Sequence, residues 1–155
     1  MNPESAPTIR DITEADADAW AVLYSGYRAF YELPADASVV ATTWQWVLTR
    51  QHGMRGLVAV APDGTLIALA NLRTFARPSV ARMGLYLDDL FTAPEARGTG
   101  AGGALLDRAA EIAGEDGAQL VRWITATTNT TARRVYDAHA TVTPWVTYDM
   151  APREP

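Results

Sequence analysis

Apolar residues in the N-terminal part of the chain recur every three or four positions, the period of a helix packed on one face. Two such segments follow a short predicted strand at residues 8–10. We expect the first helix to open at the capping sequence Thr13–Asp16 and to end at Pro34, and the second to start after Asp36 or Ser38. The expected buried positions are Trp20, Leu23, Tyr24, Tyr27, Phe30 and Tyr31 in the first helix, and Val40, Trp44, Val47 and Leu48 in the second.

Short apolar runs bounded by turn residues predict strands in the middle of the chain. Residues 57–61 and 66–72 flank the turn sequence Pro62-Asp63-Gly64 and are expected to form a hairpin. Three further strands are expected at residues 83–91, 120–125 and 145–150.

Helices are expected between these later strands. One ends at the sequence Gly114–Gly117, and a shorter one covers residues 129–138. The predicted order, β-α-α-β-β-β-α-β-α-β, indicates an α/β protein with a mixed (α+β) sheet and helices on both sides. The chain has 155 residues and no internal repeat or linker, so we expect a single domain over residues 1–155. The inward positions of the longer helix are Leu105, Leu106, Ala109, Ala110, Ile112 and Ala113.

Composition excludes several classes of chemistry. There is no cysteine, and all 13 basic residues are arginine, which removes thiolate nucleophiles and lysine Schiff bases. The net charge of -5 argues against a nucleic-acid partner and favours cationic ones. Because no apolar run reaches the roughly 20 residues of a membrane helix and the start does not resemble a signal peptide, we expect a cytoplasmic protein without a membrane partner.

A glycine-rich segment after the strand at 83–91 predicts an anion site at a helix start. A phosphate loop of the Gly-Lys-Ser/Thr type is excluded, since the chain has no lysine. A dinucleotide fingerprint is formally present, but residues 92–97 separate its glycines from the strand. A purely structural turn is the other alternative. The segment consists of Arg97, Gly98, Thr99, Gly100, Ala101, Gly102 and Gly103.

The spacing Arg97-x-x-Gly100-x-Gly102, followed by Asn129-x-x-Ala132-x-x-x-Tyr136, resembles the acyl-coenzyme A signature of the GCN5-related N-acetyltransferase (GNAT) superfamily. The similarity extends over most of the chain, from IRDITEADA to WVTYDM. Within the superfamily, the sequences YLDDLF and PEARGTGAGGALL resemble the diamine (spermidine/spermine) acetyltransferase branch.

This resemblance implies the GNAT fold, acetyl-CoA as co-substrate and a role for particular residues. The backbone of Leu90, Phe91 and Thr92 would bind the pantetheine arm. Asn129 and Ala132 would line the far side of the cofactor. The glycine segment from Gly98 to Gly103, with Arg97 at its entrance, would hold the pyrophosphate. The implied catalytic residues are Tyr136, as the acid that meets the thioester sulfur, and Asp88; the implied substrate-binding residues are Tyr31, Glu32 and Asp88.

Each role has a structural alternative. Tyr136 could be a core aromatic residue and Asp88 a solvated charge, and Tyr31-Glu32 could be a core tyrosine and a helix-end acid. Asp88 and Asp89 are adjacent on a strand, so alternation predicts that only one reaches a shared site. Four tryptophans could line a cation pocket or lie in the core: Trp44, Trp46, Trp123 and Trp145.

The chain departs from the family pattern in two places. His139 followed by Ala140 stands where a glycine usually ends the helix of Tyr136, and only about five residues connect Ala140 to Trp145. The function we expect is acetyl-CoA-dependent N-acetyl transfer to a small primary amine such as a polyamine. The alternatives are a non-catalytic acyl-CoA-binding module and an acetyltransferase for an antibiotic or a protein N-terminus. A homodimer built on the last strand is a further expectation.

Overall fold

The protein is described by a computed structural model that covers residues 5–155. Five strands form one sheet in the order β1-β2-β3-β4-β5; the first three pairings are antiparallel and the last is parallel. The mixed α/β fold expected from the sequence is confirmed. The strands are β1 (Thr8–Asp11), β2 (Met54–Val60), β3 (Leu66–Arg77), β4 (Arg82–Thr92) and β5 (Val121–Arg122), and the helices are α1 (Ala17–Phe30), α2 (Ala37–Leu48), α3 (Ala101–Glu115) and α4 (Thr130–His139).

Helices α1 and α2 cover one face of the sheet. The carboxylate of Asp16 accepts a hydrogen bond of 2.7 Å from the backbone N–H of Thr13 just before α1, as the capping sequence predicts. Asp36 caps α2 by accepting from the N–H groups of Ser38 and Val39. Helix α1 ends before Pro34, because Glu32 takes a left-handed conformation with φ of 56°. The buried cluster under these helices includes Trp20, Tyr24, Trp44, Val47, Val58, Leu69 and Phe91.

Helix α3 covers the opposite face and packs on the central strands. Leu105, Ala109 and Ile112 are fully buried there against leucines of β2, β3 and β4. Helix α4 lies beside α3, where the ring of His139 comes within 3.2 Å of the point at which Gly103 would carry a Cβ. Each side of the sheet therefore has its own apolar cluster.

Strand β4 contains a β-bulge at Asp88. Asn71 pairs with Asp89 and Leu72 pairs with Leu87, so Asp88 has no partner on β3. Leu87 and Leu90 consequently pack with the α3 cluster, while Phe91 packs with the α1 cluster. The regular alternation assumed from the sequence for Asp88 and Asp89 fails at this point.

The C-terminal part differs from the expectation. Strand β5 has two residues instead of the six predicted, and residues 141–155 contain neither helix nor strand. The strand predicted at Trp145–Met150 is therefore absent from this chain. Trp145 is 78% exposed, so it lies neither in the core nor in a pocket. The physical reason is that a strand needs a partner for its backbone hydrogen bonds, and within residues 5–155 no strand edge pairs with this segment.

Candidate active site

A cavity of about 410 Å³ lies where β4 and β5 diverge. The two strands pair only at Leu85–Val121 and Tyr86–Arg122. Beyond these pairs, β4 keeps its hydrogen bonds to β3 but no longer faces β5, so one of its edges opens toward the cavity. Trp123 and the three residues that follow it line the other side. The divergence of two parallel strands thus makes a cleft with exposed backbone groups on one wall.

Tyr136 reaches this cavity from α4. Its ring packs edge-on against Trp123, with 5.4 Å between the ring centroids. Burial, and to a smaller extent Tyr31, raise the pKa of the Tyr136 phenol to about 12. The hydroxyl therefore keeps its proton throughout the neutral range.

Asp88 lines the same cavity and is paired with an arginine. The Nε of Arg73 lies 3.1 Å from Oδ1 and 2.9 Å from Oδ2 of Asp88, and its hydrogen bond goes to Oδ1. Oδ2 is buried, and no group within residues 5–155 donates a hydrogen bond to it. Burial raises the pKa of the Asp88 carboxyl, and Arg73 opposes that effect. Because both carboxylate oxygens lie within ion-pair distance of Arg73, that arginine fixes the position of the Asp88 carboxylate at the cavity wall.

The aromatic wall of the cavity belongs to α1. Tyr27 and Tyr31 both line it, with 4.9 Å between their ring centroids. Behind Tyr27, the fully buried Asn71 donates a hydrogen bond of 2.9 Å to Asp89. Burial and the nearby Asp89 carboxylate raise the pKa of Tyr27 far above its usual range. One carboxylate, that of Asp88, and several aromatic rings therefore line the cleft, and the Asp89 carboxylate lies close enough to Tyr27 and Tyr31 to raise their pKa values.

Glu32, expected to bind substrate beside Tyr31, does not line the cavity. It is exposed in the turn after α1, where its positive φ points the chain away from the helix. The structure thus brings together Tyr31, Asp88, Leu90 and Tyr136 but not Glu32.

The glycine segment forms an open cradle at the start of α3. Gly98 and Gly100 have φ values of 82° and 84°, which side chains other than glycine rarely adopt. A Cβ at Gly98 would meet nothing within 4 Å, and one at Gly102 would meet only the Thr92 hydroxyl at 3.9 Å. The first turn of a helix has N–H groups without intrahelical partners, so this surface fits a pyrophosphate. Arg97 is exposed beside it, with its guanidinium 5.6 Å from the ring centroid of Phe30.

The predicted pantetheine strand is the open part of β4. Leu90, Phe91 and Thr92 pair with β3 along one edge, and their other edge lies past the last pair with β5. The Phe91 ring is held by α1, since a Cβ at Gly26 would come within 2.9 Å of it. Backbone groups remain accessible here while the side chain of Phe91 is locked in the core.

Asn129 and Ala132 have a structural role at the start of α4. The side chain of Asn129 accepts a hydrogen bond of 3.4 Å from the Ala132 N–H and donates one of 3.3 Å to the hydroxyl of Thr125. Thr125 itself lines the cavity. This cap orients both the cavity wall and the helix that carries Tyr136.

Sequence reasoning missed three contributors to this site. Arg73, Asn71 and Tyr27 were not singled out as site residues, although two polar residues within the apolar run of β3 are a recognisable signal. Trp123 was considered and left open between core and pocket. Its place on the cavity wall depends on how far β5 diverges from β4.

Residues 19–140 match the model of the Acetyltransferase (GNAT) family. The chain belongs to the GNAT family of acetyltransferases. It is 34% identical over 131 residues to the "Uncharacterized N-acetyltransferase YhfO" of Bacillus subtilis (strain 168), covering 83% of this chain and 85% of that protein. The GNAT assignment makes it an N-acetyltransferase, which favours an enzyme over a non-catalytic binding module.

Solved structures share the GNAT fold at lower identity. The crystal structure of a probable acetyltransferase has a TM-score of 0.84 and 22% identity, covering 96% of this chain and 99% of the other. A ribosomal-protein-alanine N-acetyltransferase from Brucella melitensis biovar Abortus 2308 has a TM-score of 0.78 and 20% identity, covering 96% and 100%. These similarities establish the architecture around the cleft.

A metal-binding cluster and a membrane-spanning helix are both absent from the part of the chain that the structure describes. No group of three histidine or acidic side chains could hold a metal ion. No helix there is long and apolar enough to cross a bilayer.

Proposed function

We propose that the protein transfers acetyl from acetyl-CoA directly to a small, cationic primary amine bound in the cleft between β4 and β5. The observation that carries this proposal is the convergence of Asp88, Tyr136 and the open edge of β4 on one cavity. A group that binds a cation, a phenol and free backbone groups are the components that this transfer requires.

The cofactor is proposed to lie along two features of the chain. The N–H groups at the start of α3 would hold its pyrophosphate in the glycine cradle, with Arg97 alongside. The backbone of residues 90–92 would hold the pantetheine arm as an added strand would be held. When bound, the cofactor supplies the acetyl group as a thioester.

The amine is proposed to bind through charge and aromatic contacts. The Asp88 carboxylate accepts a hydrogen bond from the ammonium group, and Tyr27, Tyr31 and Trp123 present ring faces or edges to the cation. The cavity lining includes the Asp88 carboxylate and no arginine, and the whole chain has a net charge of -5. Polyamines and related cations are therefore the preferred class.

Transfer forms an N–C bond and breaks a C–S bond. The bound ammonium group loses one proton before it attacks and a second as the amide forms, and the departing sulfur gains one proton from water. Asp88 is placed to take the amine proton directly or through water. Tyr136 donates a hydrogen bond to the departing sulfur. Because its pKa of about 12 exceeds the roughly 8.5 of a thiol, Tyr136 stabilises the developing charge better than it protonates a free thiolate.

The first experiment separates cofactor binding from substrate choice. Acetyl-CoA at about 100 times its dissociation constant should add about 2.7 kcal/mol of stability, a rise in melting temperature of roughly 5–10 °C, whereas NAD should add nothing. No rise with acetyl-CoA would contradict the cradle assignment.

An amine panel then tests the substrate class. A polyamine, an amino acid, an aminoglycoside and a peptide with a free N-terminus are compared by kcat/KM with acetyl-CoA held constant. We expect the polyamine to react fastest. Equal rates for polyamine and amino acid would remove the cationic preference, and a fastest reaction with the peptide or the aminoglycoside would support those alternative functions instead.

We further propose that the enzyme acts in the cytoplasm and as a homodimer. The dimer is supported by the exposed apolar segment at the C-terminus.

A further inference from the structure

The guanidinium of Arg73, which fixes Asp88 at the cavity wall, is not itself fixed by burial. The side chain of Arg73 is 39% exposed, whereas that of Asp88 is 25% exposed. An arginine side chain has several rotatable bonds, and an ion pair at this exposure does little by itself to hold one geometry. A further contact is therefore needed to keep Arg73 in the position from which it reaches Asp88.

Tyr86 supplies this contact from the neighbouring strand. Tyr86 on β4 pairs directly with Arg73 on β3, and the Cζ atom of Arg73 lies over the Tyr86 ring, 4.5 Å from its centroid. At this distance the quadrupole of the ring attracts the cation. Asp88 follows Tyr86 by two residues and accepts the hydrogen bond of the Arg73 Nε–H. The guanidinium is thus held over the ring on one side and at its Nε by the carboxylate.

Further residues fix the ring of Tyr86. Phe75 on β3 packs edge-on against it, with 5.9 Å between the ring centroids and 79° between the ring planes. Gly84 pairs with Phe75, and a Cβ on Gly84 would come within 2.6 Å of the Phe75 ring, so glycine leaves the room that this ring needs. The Cζ atom of Arg122 on β5 lies 6.0 Å from the centroid of Phe75. We call this row across three strands the cross-strand stack: Arg122, Phe75, Tyr86 and Arg73.

We propose that Tyr86 is a positioning residue of the enzyme, whose ring holds the Arg73 guanidinium so that Arg73 holds the Asp88 carboxylate toward the amine. Tyr86 does not line the cavity, so it acts through Arg73. The inference rests on the proposed function, in which Asp88 receives the amine. Without the ring, Arg73 would turn into water, and Asp88 would lose both its anchor and the positive charge beside it.

The ionisable groups that face Asp88 come from β3, β4, α1 and α4. Burial raises the pKa of the Asp88 carboxyl, Arg73 lowers it, and the neighbouring Asp89 raises it. Three phenols with raised pKa values line the same cavity: Tyr27, Tyr31 and Tyr136. These phenols are uncharged at neutral pH. Displacement of Arg73 should therefore raise the pKa of Asp88.

Side-chain NMR tests the contact without reference to activity. In the wild type, we expect the Nε–H proton of Arg73 to exchange slowly with water, because Asp88 accepts it and the Tyr86 ring covers the guanidinium. Arg73→Gln identifies the signal by removing it. The ring-free variants Tyr86→Leu and Tyr86→Met should speed this exchange several-fold, whereas Tyr86→Phe, the matched control that keeps the ring, should not. Rapid exchange in the wild type, or exchange that the ring-free variants leave unchanged, would overturn the proposal.

An NMR titration of the Asp88 carboxyl carbon measures the effect at the site, again without substrate. Arg73→Gln should raise the pKa of Asp88, and Tyr86→Leu should raise it by a smaller amount, since a displaced guanidinium is screened by water. The double variant should match Arg73→Gln alone, because the ring acts through the arginine. A pKa that Arg73→Gln alone raises, or that neither variant raises, would contradict the positioning role.

Kinetics with the amine separate this inference from the proposed function. Tyr86→Leu should lower kcat/KM for the amine by roughly 10- to 100-fold, the cost of a displaced catalytic group, with the dissociation constant of acetyl-CoA unchanged. Tyr86→Phe should retain the wild-type value. An equal loss in Tyr86→Phe would assign the effect to the hydroxyl and overturn the role of the ring. If the wild type acetylates no amine, the proposed function fails, and the two NMR measurements still decide whether Tyr86 positions Arg73 and Asp88.

Discussion

All the buried apolar side chains of the described chain lie between Trp20 and Ala113, whereas from Gly114 to Pro155 none is buried. The first region forms both apolar clusters and the glycine cradle. The second supplies Tyr136, Trp123 and one wall of the cleft from half-buried or exposed positions. The apolar core is thus confined to the first region, whereas the cleft takes residues from both, and the wall that the second region supplies can change with little cost to the fold.

The largest expected effect is a loss of unfolding free energy when a buried side chain of the first region is shortened. Leu105→Ala removes a fully buried side chain from α3 and should cost roughly 2–5 kcal/mol of unfolding free energy. Ile124→Ala removes as many carbons from an exposed position and should cost no more than about 0.5 kcal/mol. Denaturant unfolding of both variants at the same protein concentration measures the two costs. Equal costs would mean that the two regions are packed alike.

Tyr136→Phe should lower kcat by roughly 100-fold, the lower range for a positioned proton donor, with little change in the dissociation constant of acetyl-CoA. Tyr86→Phe is the matched control, since Tyr86 lies two residues from Asp88 on β4 but does not line the cavity. Steady-state kinetics with a reactive amine measures both. An unchanged kcat for Tyr136→Phe would exclude the hydrogen bond to sulfur.

Gly102→Ala should separate stability from cofactor binding. A methyl group there meets only the Thr92 hydroxyl, and alanine favours the helix over glycine by up to about 1 kcal/mol, so the melting temperature should rise. The same methyl group would enter the proposed pyrophosphate cradle and weaken acetyl-CoA binding. Gly114→Ala, also in α3 with nothing within 4 Å of the added carbon, should leave binding intact. Isothermal titration compares them, and undiminished binding by Gly102→Ala would argue against the cradle.

The smallest expected effect is on the pH dependence of kcat/KM for the amine. Burial raises the pKa of Asp88, so its carboxylate should be lost above the usual aspartate range as pH falls, and kcat/KM for the amine should decline there. Arg73→Gln removes the charge that opposes this shift, so the acid limb of the pH profile should move to higher pH. Arg82→Gln is the control: Arg82 is exposed on β4, the strand of Asp88, and its replacement should leave the limb unchanged. Asp88→Asn should abolish the limb. A limb that persists in Asp88→Asn would assign it to another group.

Much of the fold follows from local patterns. Helices α1 and α2 and the β2–β3 hairpin were predicted because their apolar period, caps and turn residues all act within a few positions of the chain. The extension of β3 to Arg77 could not be predicted, since the polar residues after Leu72 owe their strand conformation to pairing with β4. The segment at Trp145–Met150 has strand preference but no pairing partner among the residues that the structure describes.

The site was predictable to the extent that it depends on spacing. Tyr136, Asp88 and the glycine segment carry a recognisable motif, and four of the residues that the resemblance implies line the cavity: Tyr31, Asp88, Leu90 and Tyr136. Arg73 and Asn71 could not be assigned roles, because their positions beside the acidic pair depend on the register of β3 against β4. Glu32 lies in a left-handed turn after α1 that the sequence does not reveal and does not line the cavity, so its role beside Tyr31 stays a prediction.

The bulge at Asp88 determines which face of the sheet each later side chain of β4 points to. Leu90 belongs to the α3 cluster and Phe91 to the α1 cluster only because one extra residue precedes them. Deleting that residue would exchange the two, sending the Phe91 ring toward α3 and leaving the hollow at Gly26 empty. Insertions and deletions are therefore expected in the turns and at the C-terminal end. A single deletion within β4 would disrupt the apolar clusters on both faces of the sheet.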